Sequence, residues 1–313
     1  MLLQDAPLFL DIAPGPEDGA AWWVSASDGL RLRIAAWGRD RPHGTVLIFP
    51  GRTEYVEKYG PAAQDFAARG FATISIDWRG QGLADRMLDD RRIGHVDLFQ
   101  DYQKDVAMML RAARALDLPK PYYLVAHSMG GCIGLRSVYE DLPVQSVVFS
   151  APMWGIRIAP ALRPAAWALA LAMPKIGQGG RLAPTTVPEP YVIKAPFDDN
   201  KLTTDRPMHD MMFNQITTHT DLSLGGPSYV WLREALIECA NLAAMPAPNL
   251  DCATYLGTNE RIVHVPRIHE RMEHWSNGKL HMVERGEHEV LMETPDIRNP
   301  IFDKIATQFR NAA

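Results

Sequence analysis

Ser128 lies at the end of an apolar run, in the sequence Tyr123-Leu-Val-Ala-His-Ser-Met-Gly-Gly131. The run predicts a β-strand, and a small-x-Ser-x-Gly pattern followed by small residues is typical of the sharp strand-to-helix turn that exposes a nucleophilic hydroxyl. Gly130 stands two positions after the serine, and Ala126 stands two before it, where glycine is more usual and one methyl group should be tolerable. The alternative is a serine that only caps the following helix. The strand before Ser128 and the small residues after it favour a nucleophile.

A serine hydroxyl needs a neighbouring base to take its proton, and the base needs a third group to orient it. Among the ten histidines, His288 is distinguished by its context in Arg285-Gly-Glu-His-Glu289, between a predicted strand and the last predicted helix. Catalytic residues of α/β proteins lie on loops at the carboxyl ends of strands. We therefore predict that His288 is the base, the alternative being a loop histidine without a catalytic task.

Glu260 is the predicted acid. It lies in Gly257-Thr-Asn-Glu-Arg-Ile-Val263, just after another predicted strand, so it should reach the same edge of the sheet. Asp251 precedes that strand and should lie at the opposite edge, and the side chain of Glu287 would not normally reach round to its neighbour His288. The alternative for Glu260 is a surface residue that caps the next helix.

Short apolar runs alternate with helical patterns, which predicts the α/β class, a mostly parallel central sheet flanked by helices. The entry should be antiparallel, because Asp28-Gly29 between two runs is typical of a tight hairpin. The predicted strands cover residues 22–27, 30–37, 45–49, 71–78, 121–127, 144–150, 252–256 and 280–284. The predicted helices cover residues 56–69, 96–116, 129–141, 265–275 and 297–309.

Residues 152–248 break this alternation and are rich in proline, tryptophan and methionine. We predict that they form a helical cap inserted into a core made of residues 1–151 and 249–313. The first part of this cap is rich in large apolar side chains, namely Trp154, Ile156, Ile158, Leu162, Trp167, Leu169, Leu171 and Met173. Such residues could line an acyl pocket, although we expect most of them to pack the cap onto the sheet. The interspersed Arg157, Arg163 and Lys175 could contact an anionic membrane surface.

The composition of the 313 residues argues against several other functions. The formal net charge is -5 and no basic run is present, so nucleic acid is not an expected partner. Three scattered cysteines predict reduced thiols rather than disulfides or a zinc site. His264, His269, His274 and His281 lack the H-E-x-x-H pattern of a metal site. We therefore expect neither a metal nor another cofactor.

The beginning of the chain does not resemble a secretory signal. It has no basic segment at its start, it contains acidic residues, and prolines interrupt it. The longest apolar run, residues 165–174, is well below the ~20 residues that cross a bilayer. We therefore expect a cytoplasmic protein.

The chain resembles the monoacylglycerol lipase and lysophospholipase group of α/β-hydrolases, often labelled serine aminopeptidase-like hydrolases. The matching segments are Pro50-Gly-Arg-Thr-Glu-Tyr-Val-Glu-Lys-Tyr59, Asp77-Trp-Arg-Gly-Gln-Gly82, the turn at Ser128, Gly257 to Val263, and Gly286-Glu-His288. The lysophospholipase branch is suggested by Gly51 to Tyr55, by Gly80 to Gly82, and by Gly225-Gly-Pro-Ser-Tyr-Val-Trp231. The departures are Pro50 and Gln81 in place of histidines, Ala126 in place of glycine, and Glu260 in place of the commoner aspartate.

The resemblance implies a serine hydrolase that cleaves carboxylic esters through an acyl-enzyme, with a single-chain lipid or a simpler ester as substrate. It assigns the oxyanion hole to the backbone N–H groups of Met129 and Arg52. The Arg52 side chain could also meet an anionic head group, although a salt bridge or solvent exposure is expected first. Peptidase or thioesterase activity would use the same triad, and a binding protein without turnover is a third alternative.

Overall fold

The computed structural model describes residues 3–312, and within them the strands form one nine-stranded sheet. In chain order the strands are β1 (Gln4–Ala6), β2 (Ala20–Ser25), β3 (Arg31–Trp37), β4 (Thr45–Phe49), β5 (Ala72–Asp77), β6 (Tyr122–His127), β7 (Ser146–Ser150), β8 (Asp251–Gly257) and β9 (Gly278–Val283). Their order across the sheet is β1-β2-β3-β5-β4-β6-β7-β8-β9. Strands β4 to β9 pair in parallel, whereas β1, β2 and β3 join the sheet by antiparallel pairing.

The central parallel strands are more buried than the strands β1, β2 and β9 near the two edges of the sheet. Strands β4 to β7 are buried at every position and read as continuous apolar runs, as parallel strands covered on both faces do. The antiparallel entry turns at the predicted dipeptide, where Gly29 has a φ of +87° and Ser25 pairs with Arg31. The fold class predicted from the alternation of elements is therefore confirmed.

Helices cover both faces of the sheet. They are α1 (Gly60–Ala68), α2 (Tyr102–Ala115), α3 (Met129–Tyr139), α4 (Arg163–Lys175), α5 (Tyr191–Lys194), α6 (Arg206–Thr218), α7 (Tyr229–Ala244), α8 (Val265–Glu273) and α9 (Pro295–Asn311). Helices α1 and α9 bury Phe66 and Phe302 against one face. Helices α2, α3 and α8 cover the other face, where Met109, Ile133 and Ile268 belong to the main core.

Helices α4 to α7 all lie between β7 and β8, and no strand of the sheet interrupts them. Helix α7 joins this segment to the main core through the buried Trp231 and Ala235. Helix α4 packs against α7, yet Ala170 is its one buried residue. Helix α7 thus attaches this segment to the core, whereas α4 lies at the surface.

Most predicted elements are confirmed, and the differences are local. The short strand β1 is missing from the prediction, because its three residues carry no alternation of apolar and polar side chains. The helix predicted over residues 56–69 begins as a 3₁₀ turn at Val56–Tyr59. The helix predicted over residues 96–116 begins at Tyr102, after a 3₁₀ turn at Phe99–Asp101.

Within residues 3–312, no helix combines the length and the apolar character that crossing a bilayer requires. The three cysteines are free and buried, in agreement with the predicted reduced thiols.

Candidate active site

Ser128 occupies the turn between β6 and α3 in a strained backbone conformation, with φ +50° and ψ -116°. A positive φ is uncommon for a residue with a side chain and is maintained only where the surroundings enforce it. Here the Ser128 N–H donates to the Ser150 carbonyl (3.0 Å), and the Ser128 carbonyl accepts from the N–H of Gly131 (2.9 Å) and of Met153 (2.8 Å). These bonds fix the turn at the carboxyl edge of the sheet.

The two glycines after the nucleophile are required by close packing. A Cβ on Gly130 would lie 2.1 Å from the Phe49 carbonyl oxygen, and one on Gly131 would lie 2.6 Å from Pro152 Cβ. Both distances are shorter than van der Waals contact, so a larger residue would push α3 away from the sheet. The small residues seen in the sequence therefore allow helix α3 to start directly behind Ser128.

Met129 is the first residue of α3 and is fully buried. The first N–H groups of a helix have no partner within the helix, and the helix dipole makes this end attractive to negative charge. The Met129 amide thus has the chemistry that an oxyanion donor needs.

His288 and Glu260 are brought together as the sequence predicted. His288 Nδ1 lies 2.6 Å from Glu260 Oε2, and both side chains are buried. The other oxygen of Glu260, Oε1, accepts from the backbone N–H groups of Ile262 and Val263, the latter at 3.0 Å. One carboxylate oxygen is therefore fixed by the backbone, and the other orients the imidazole.

The two rival acids lie elsewhere. Asp251 is the first residue of β8 and accepts from Ser146 Oγ (2.8 Å) at the opposite edge of the sheet. Glu287 turns toward Arg261, at 3.4 Å. Neither carboxylate is bonded to His288, which agrees with the choice of Glu260.

Ser128 lies near this pair, since the ring centroid of its neighbour His127 is 4.7 Å from that of His288. Within residues 3–312, no hydrogen bond joins Ser128 Oγ to the His288 ring. Because Nδ1 of His288 is taken by Glu260, Nε2 is the nitrogen that remains for a proton from the nucleophile.

The contact between His288 and Glu260 also shifts the pKa of both groups. Burial favours the uncharged form of Glu260, but His288 and the two backbone N–H groups outweigh it and lower the pKa of Glu260 to about 2. Burial alone would lower the pKa of His288, yet Glu260 and then the carboxylates of Glu289 and Glu54 raise it above its ordinary value. The protonated form of His288 is thereby stabilised.

The loop after β4 has its backbone groups engaged by nearby side chains. Gln81 bonds to it twice, accepting from the Thr53 N–H (3.0 Å) and donating to the Gly51 carbonyl (3.1 Å). Gln81 is held in turn by the segment after β5, where the Asp77 carboxylate accepts from the N–H of Leu83 (2.7 Å). The motif from Asp77 to Gly82 thus acts by shaping the loop that carries Arg52.

The backbone N–H groups of Gly51 and Thr53, on either side of Arg52, are both engaged. The Pro50 carbonyl accepts from Trp78 Nε1 (2.9 Å), and the Gly51 N–H donates to the Glu54 carboxylate. Within residues 3–312 the backbone N–H of Arg52 has no hydrogen-bond acceptor in the protein. The Arg52 amide, which the resemblance assigns to the oxyanion hole, is therefore available to bind a substrate.

The Arg52 side chain has neither of the roles expected first. Its Nη1 donates to the Gly225 carbonyl (2.7 Å), and its guanidinium lies 5.6 Å from the Trp231 ring. No carboxylate within the described residues forms an ion pair with it, and it is partly buried. Burial lowers the pKa of Arg52 to about 10, so it stays charged at neutral pH. Arg52 thus connects the loop after β4 to the segment that leads into α7.

A buried cluster beside His288 was not predicted. Atoms of Glu54, His127 and Glu289 lie within 4.8 Å of one another, a set of ligand types that could hold a metal ion. The Lys58 ammonium, however, bonds to both carboxylates, at 2.7 Å to Glu54 and 2.6 Å to Glu289. A cation is therefore already supplied by the chain. The spacing of Glu54 and Lys58 and the adjacency of Glu289 to His288 were the signals available in the sequence.

Of the eight large apolar residues in the first part of the cap, five are buried or half-buried, as expected for most of them, and three are exposed. Trp154 is buried and donates to the Gly131 carbonyl (3.1 Å). Leu162, Leu169 and Leu171 are instead exposed by 59%, 38% and 43%. Leu169 and Leu171 lie on α4, in which Ala170 is the buried residue, and Leu162 directly precedes this helix.

A strained serine between a parallel strand and a helix, with a buried imidazole–carboxylate pair on neighbouring loops, defines the class: the chain is an α/β-hydrolase. The sequence profile of the hydrolase family described as "Serine aminopeptidase, S33" matches residues 40–295. The chain belongs to this family.

The similar proteins include lipid esterases. Lysophospholipase L2 of Escherichia coli (strain K12) is 28% identical over 299 residues, covering 90% of this chain and 85% of that protein. A soluble variant of monoglyceride lipase from Saccharomyces cerevisiae superposes with a TM-score of 0.72 at 17% identity, covering 93% of this chain and 94% of the other. The monoacylglycerol lipase of Paleococcus ferrophilus gives a TM-score of 0.67 at 16% identity, with coverage of 90% and 99%. The chain is an ester-hydrolysing α/β-hydrolase.

Proposed function

We propose that this hydrolase uses Ser128 as nucleophile, His288 as base and Glu260 as the acid that orients the base. The observation that carries the proposal is the 2.6 Å contact between His288 Nδ1 and Glu260 Oε2 beside the strained turn of Ser128. It leaves His288 Nε2 to accept the serine proton. An imidazole held in this tautomer by a buried carboxylate is what nucleophilic catalysis by serine needs.

The proposed reaction has two halves. His288 takes the proton of Ser128 Oγ as the oxygen attacks the acyl carbonyl, and the amides of Arg52 and Met129 bind the resulting oxyanion. The C–O bond to the alcohol then breaks, and His288 gives its proton to the departing oxygen. In the second half water attacks the acyl-enzyme, His288 accepts a proton from that water, and the acid leaves as Ser128 regains its hydrogen.

The proposed substrate is the ester of a single-chain lipid, a lysophospholipid or a monoacylglycerol. The relatives named lysophospholipase and monoglyceride lipase support this class. We further propose that residues 152–248 are a cap over a core formed by 1–151 and 249–313, and that the acyl chain lies beneath it. None of the proposed steps uses a cofactor. A cytoplasmic location stays a prediction.

Helix α4 is proposed to rest on the surface of a membrane that contains the substrate. Leu171 on this helix and Ile176 directly after it are exposed by 43% and 66%, and the exposed Arg157, Arg163 and Lys175 lie on or near the helix. An apolar helix face bordered by basic side chains binds anionic lipid interfaces. The geometry supports a contact in the plane of the interface rather than insertion.

A fluorophosphonate probe tests the nucleophile. We expect the wild-type protein to be labelled at Ser128 and to hydrolyse soluble esters, while Ser128→Ala loses both properties. Ser137→Ala is the matched control, because Ser137 lies on the same helix with its hydroxyl bonded to Gln103 (2.7 Å). Equal labelling of wild type and Ser128→Ala would show that the nucleophile is misassigned, and no labelling at all would favour a binding protein without turnover.

Peptidase and thioesterase activity are separated from ester hydrolysis by a substrate panel. Lysophospholipid, monoacylglycerol, short-chain ester, thioester and aminoacyl substrates should be compared by kcat/KM with the same enzyme. We expect the two lipid esters to be preferred. A preference for the aminoacyl or thioester compounds would contradict the proposed substrate while leaving the triad intact.

Sedimentation with vesicles tests the membrane contact. We expect the protein to pellet with vesicles that contain anionic lipid and to remain in the supernatant with neutral vesicles at high salt, since screening weakens surface electrostatics. Absence of the protein from every pellet would rule out this contact.

A further inference from the structure

The buried carboxylate of Glu54 directly contacts the loop after β4 that carries Arg52, here called the oxyanion loop. It accepts from the backbone N–H of Gly51, one residue before the proposed oxyanion donor Arg52, and from Tyr59 Oη (2.5 Å). A Cβ on Gly51 would lie 3.0 Å from Glu54 Oε1, so backbone and carboxylate are in close contact. Because the Gly51 and Arg52 peptides are consecutive, fixing one restricts the direction of the next N–H.

The same carboxylate reaches the loop of the base. Lys58 Nζ lies 2.7 Å from Glu54 Oε1 and 2.6 Å from Glu289 Oε1. Glu289 directly follows His288 in the chain, and all three charged side chains are buried. One ammonium therefore joins the loop that carries the oxyanion donor to the loop that carries the imidazole.

Burial and neighbouring charges shift the pKa values of the groups in this arrangement. Burial opposes ionisation of Glu54, but Lys58, His127 and Tyr59 outweigh it and lower its pKa to about 2. Burial lowers the pKa of His127 to about 3, so this ring is neutral near pH 7. Burial raises the pKa of Glu289, which shares the same ammonium, and the carboxylates of Glu289 and Glu54 both favour the protonated form of His288 and raise its pKa.

Several charged or titratable groups face His288, each from a different element. These are Glu260 from the loop after β8, Glu289 from its own loop, Glu54 and Lys58 from the segment after β4, and His127 from the end of β6. The carboxylates favour the imidazolium and Lys58 opposes it. The balance of this set, rather than Glu260 alone, decides how readily His288 holds a proton.

A nearby buried ion pair offers a comparison. Glu57 bonds to Arg33 through both carboxylate oxygens, each at 2.7 Å, and both residues are fully buried. It lies three residues after Glu54, yet its partner belongs to β3, away from the imidazole. Glu57 is as buried as Glu54 and is likewise paired with a cation, although burial raises its pKa, and within the described residues it has no bond to the oxyanion loop.

We propose that Glu54 is a positioning residue, which holds the oxyanion loop through Gly51 and couples it to the loop of His288 through Lys58 and Glu289. The proposal rests on the function proposed above. In this arrangement the donor of the oxyanion hole and the base keep one relative position, as the two must act on the same carbonyl.

Substitution of Glu54 tests the proposal with a soluble short-chain ester. We expect Glu54→Ala to lower kcat by about 100-fold, the size of the loss when one oxyanion donor is misplaced, with KM changed less than about threefold. Glu54→Gln keeps an acceptor for the Gly51 N–H and should lose about tenfold. It also keeps the test valid if the alanine variant does not fold.

A pH profile separates positioning from a merely structural role. Removing the negative charge of Glu54 makes the His288 imidazolium less favourable, so the acid limb of kcat/KM should move to lower pH in both variants. Glu57→Gln is the control. We expect it to lower Tm at least as much as Glu54→Gln while its acid limb stays in place and its kcat stays within about twofold of wild type.

Two outcomes overturn the proposal. Either both Glu54 variants keep kcat within about twofold of wild type, or kcat falls without any shift of the acid limb relative to Glu57→Gln. Both results leave the proposed triad intact, provided that Ser128→Ala is inactive. Ester hydrolysis that survives Ser128→Ala would instead contradict the proposed function and, with it, the role assigned to Glu54.

Discussion

Charged side chains are buried at the carboxyl edge of the sheet, whereas apolar side chains are exposed on helix α4. At the edge, charged groups such as Glu54, Glu260 and His288 are buried and bonded to partners. On α4 and directly after it, apolar groups such as Leu171 and Ile176 are exposed by 43% and 66%. Each arrangement costs free energy on its own, since buried charge loses hydration and exposed apolar surface orders water.

The edge of the sheet and helix α4 are suited to different tasks. Buried, paired charges keep fixed positions, which a reaction between defined atoms needs. An exposed apolar face lowers its free energy only when something covers it, as a lipid surface would. We therefore expect changes at the edge to affect every ester alike, and changes on α4 to affect only esters presented in a membrane.

The largest effect should follow from removal of the base. We expect His288→Ala to lower kcat by roughly 10⁵-fold on soluble and vesicle-bound esters alike, because the variant lacks the group that is proposed to take the serine proton. Steady-state kinetics on both substrates measure it. His281→Ala is the control. His281 lies on β9, where its ring stacks on Tyr255 of β8, and it should tolerate replacement. A variant at position 288 that keeps more than about 1% of the rate would contradict the assignment.

The next effect should follow from neutralising the acid. Glu260→Gln should lower kcat by about 10³- to 10⁴-fold, because the amide no longer stabilises the imidazolium. Loss of the carboxylate also removes the main charge that raises the pKa of His288, so the remaining activity should extend to lower pH. Glu287→Gln is the matched control on the His288 loop. Equal losses in the two variants would show that Glu260 has no special role.

A smaller effect should follow from pH alone in the wild-type protein. The base must be neutral, so kcat/KM should fall about tenfold for each unit below the pKa of His288. Because nearby carboxylates raise this pKa, the midpoint should lie above the 6.5 of an ordinary histidine. Initial rates of a soluble ester between pH 5 and pH 9 (about the range where histidine titrates) measure it. A midpoint below the ordinary value would contradict the charge balance described for this site.

The smallest effect should follow from changes on the cap. We expect Leu171→Ser combined with Ile176→Ser to weaken binding to anionic vesicles about tenfold, the loss of roughly 1.4 kcal/mol of apolar contact. Hydrolysis of a soluble ester should be unchanged. Leu10→Ser is the control, as Leu10 is exposed by 59% and lies outside α4. Equal weakening by the control would remove the distinction between the two regions.

Much of the fold could be predicted because its signals are local. Asp28-Gly29 predicted the hairpin, and continuous apolar runs predicted the buried parallel strands. The start of α2 at Tyr102 was not predicted, since an apolar period does not show where the backbone leaves a 3₁₀ turn. Which apolar residues of α4 are exposed could not be predicted for a related reason: the pattern records which residues are apolar, not which of them find a partner.

The sequence by itself determined the kinds of groups at the site and the chain order in which they occur, because the strand before Ser128 and the loops of Glu260 and His288 are encoded by neighbouring residues. Only the tertiary structure decided how groups far apart in the chain share one charge. The ammonium of Lys58 lies between Glu54 and Glu289, which are 235 residues apart in sequence. That contact exists because parallel pairing places the loops after β4, β6 and β9 on one edge of the sheet, and no local pattern specifies which side chains meet there.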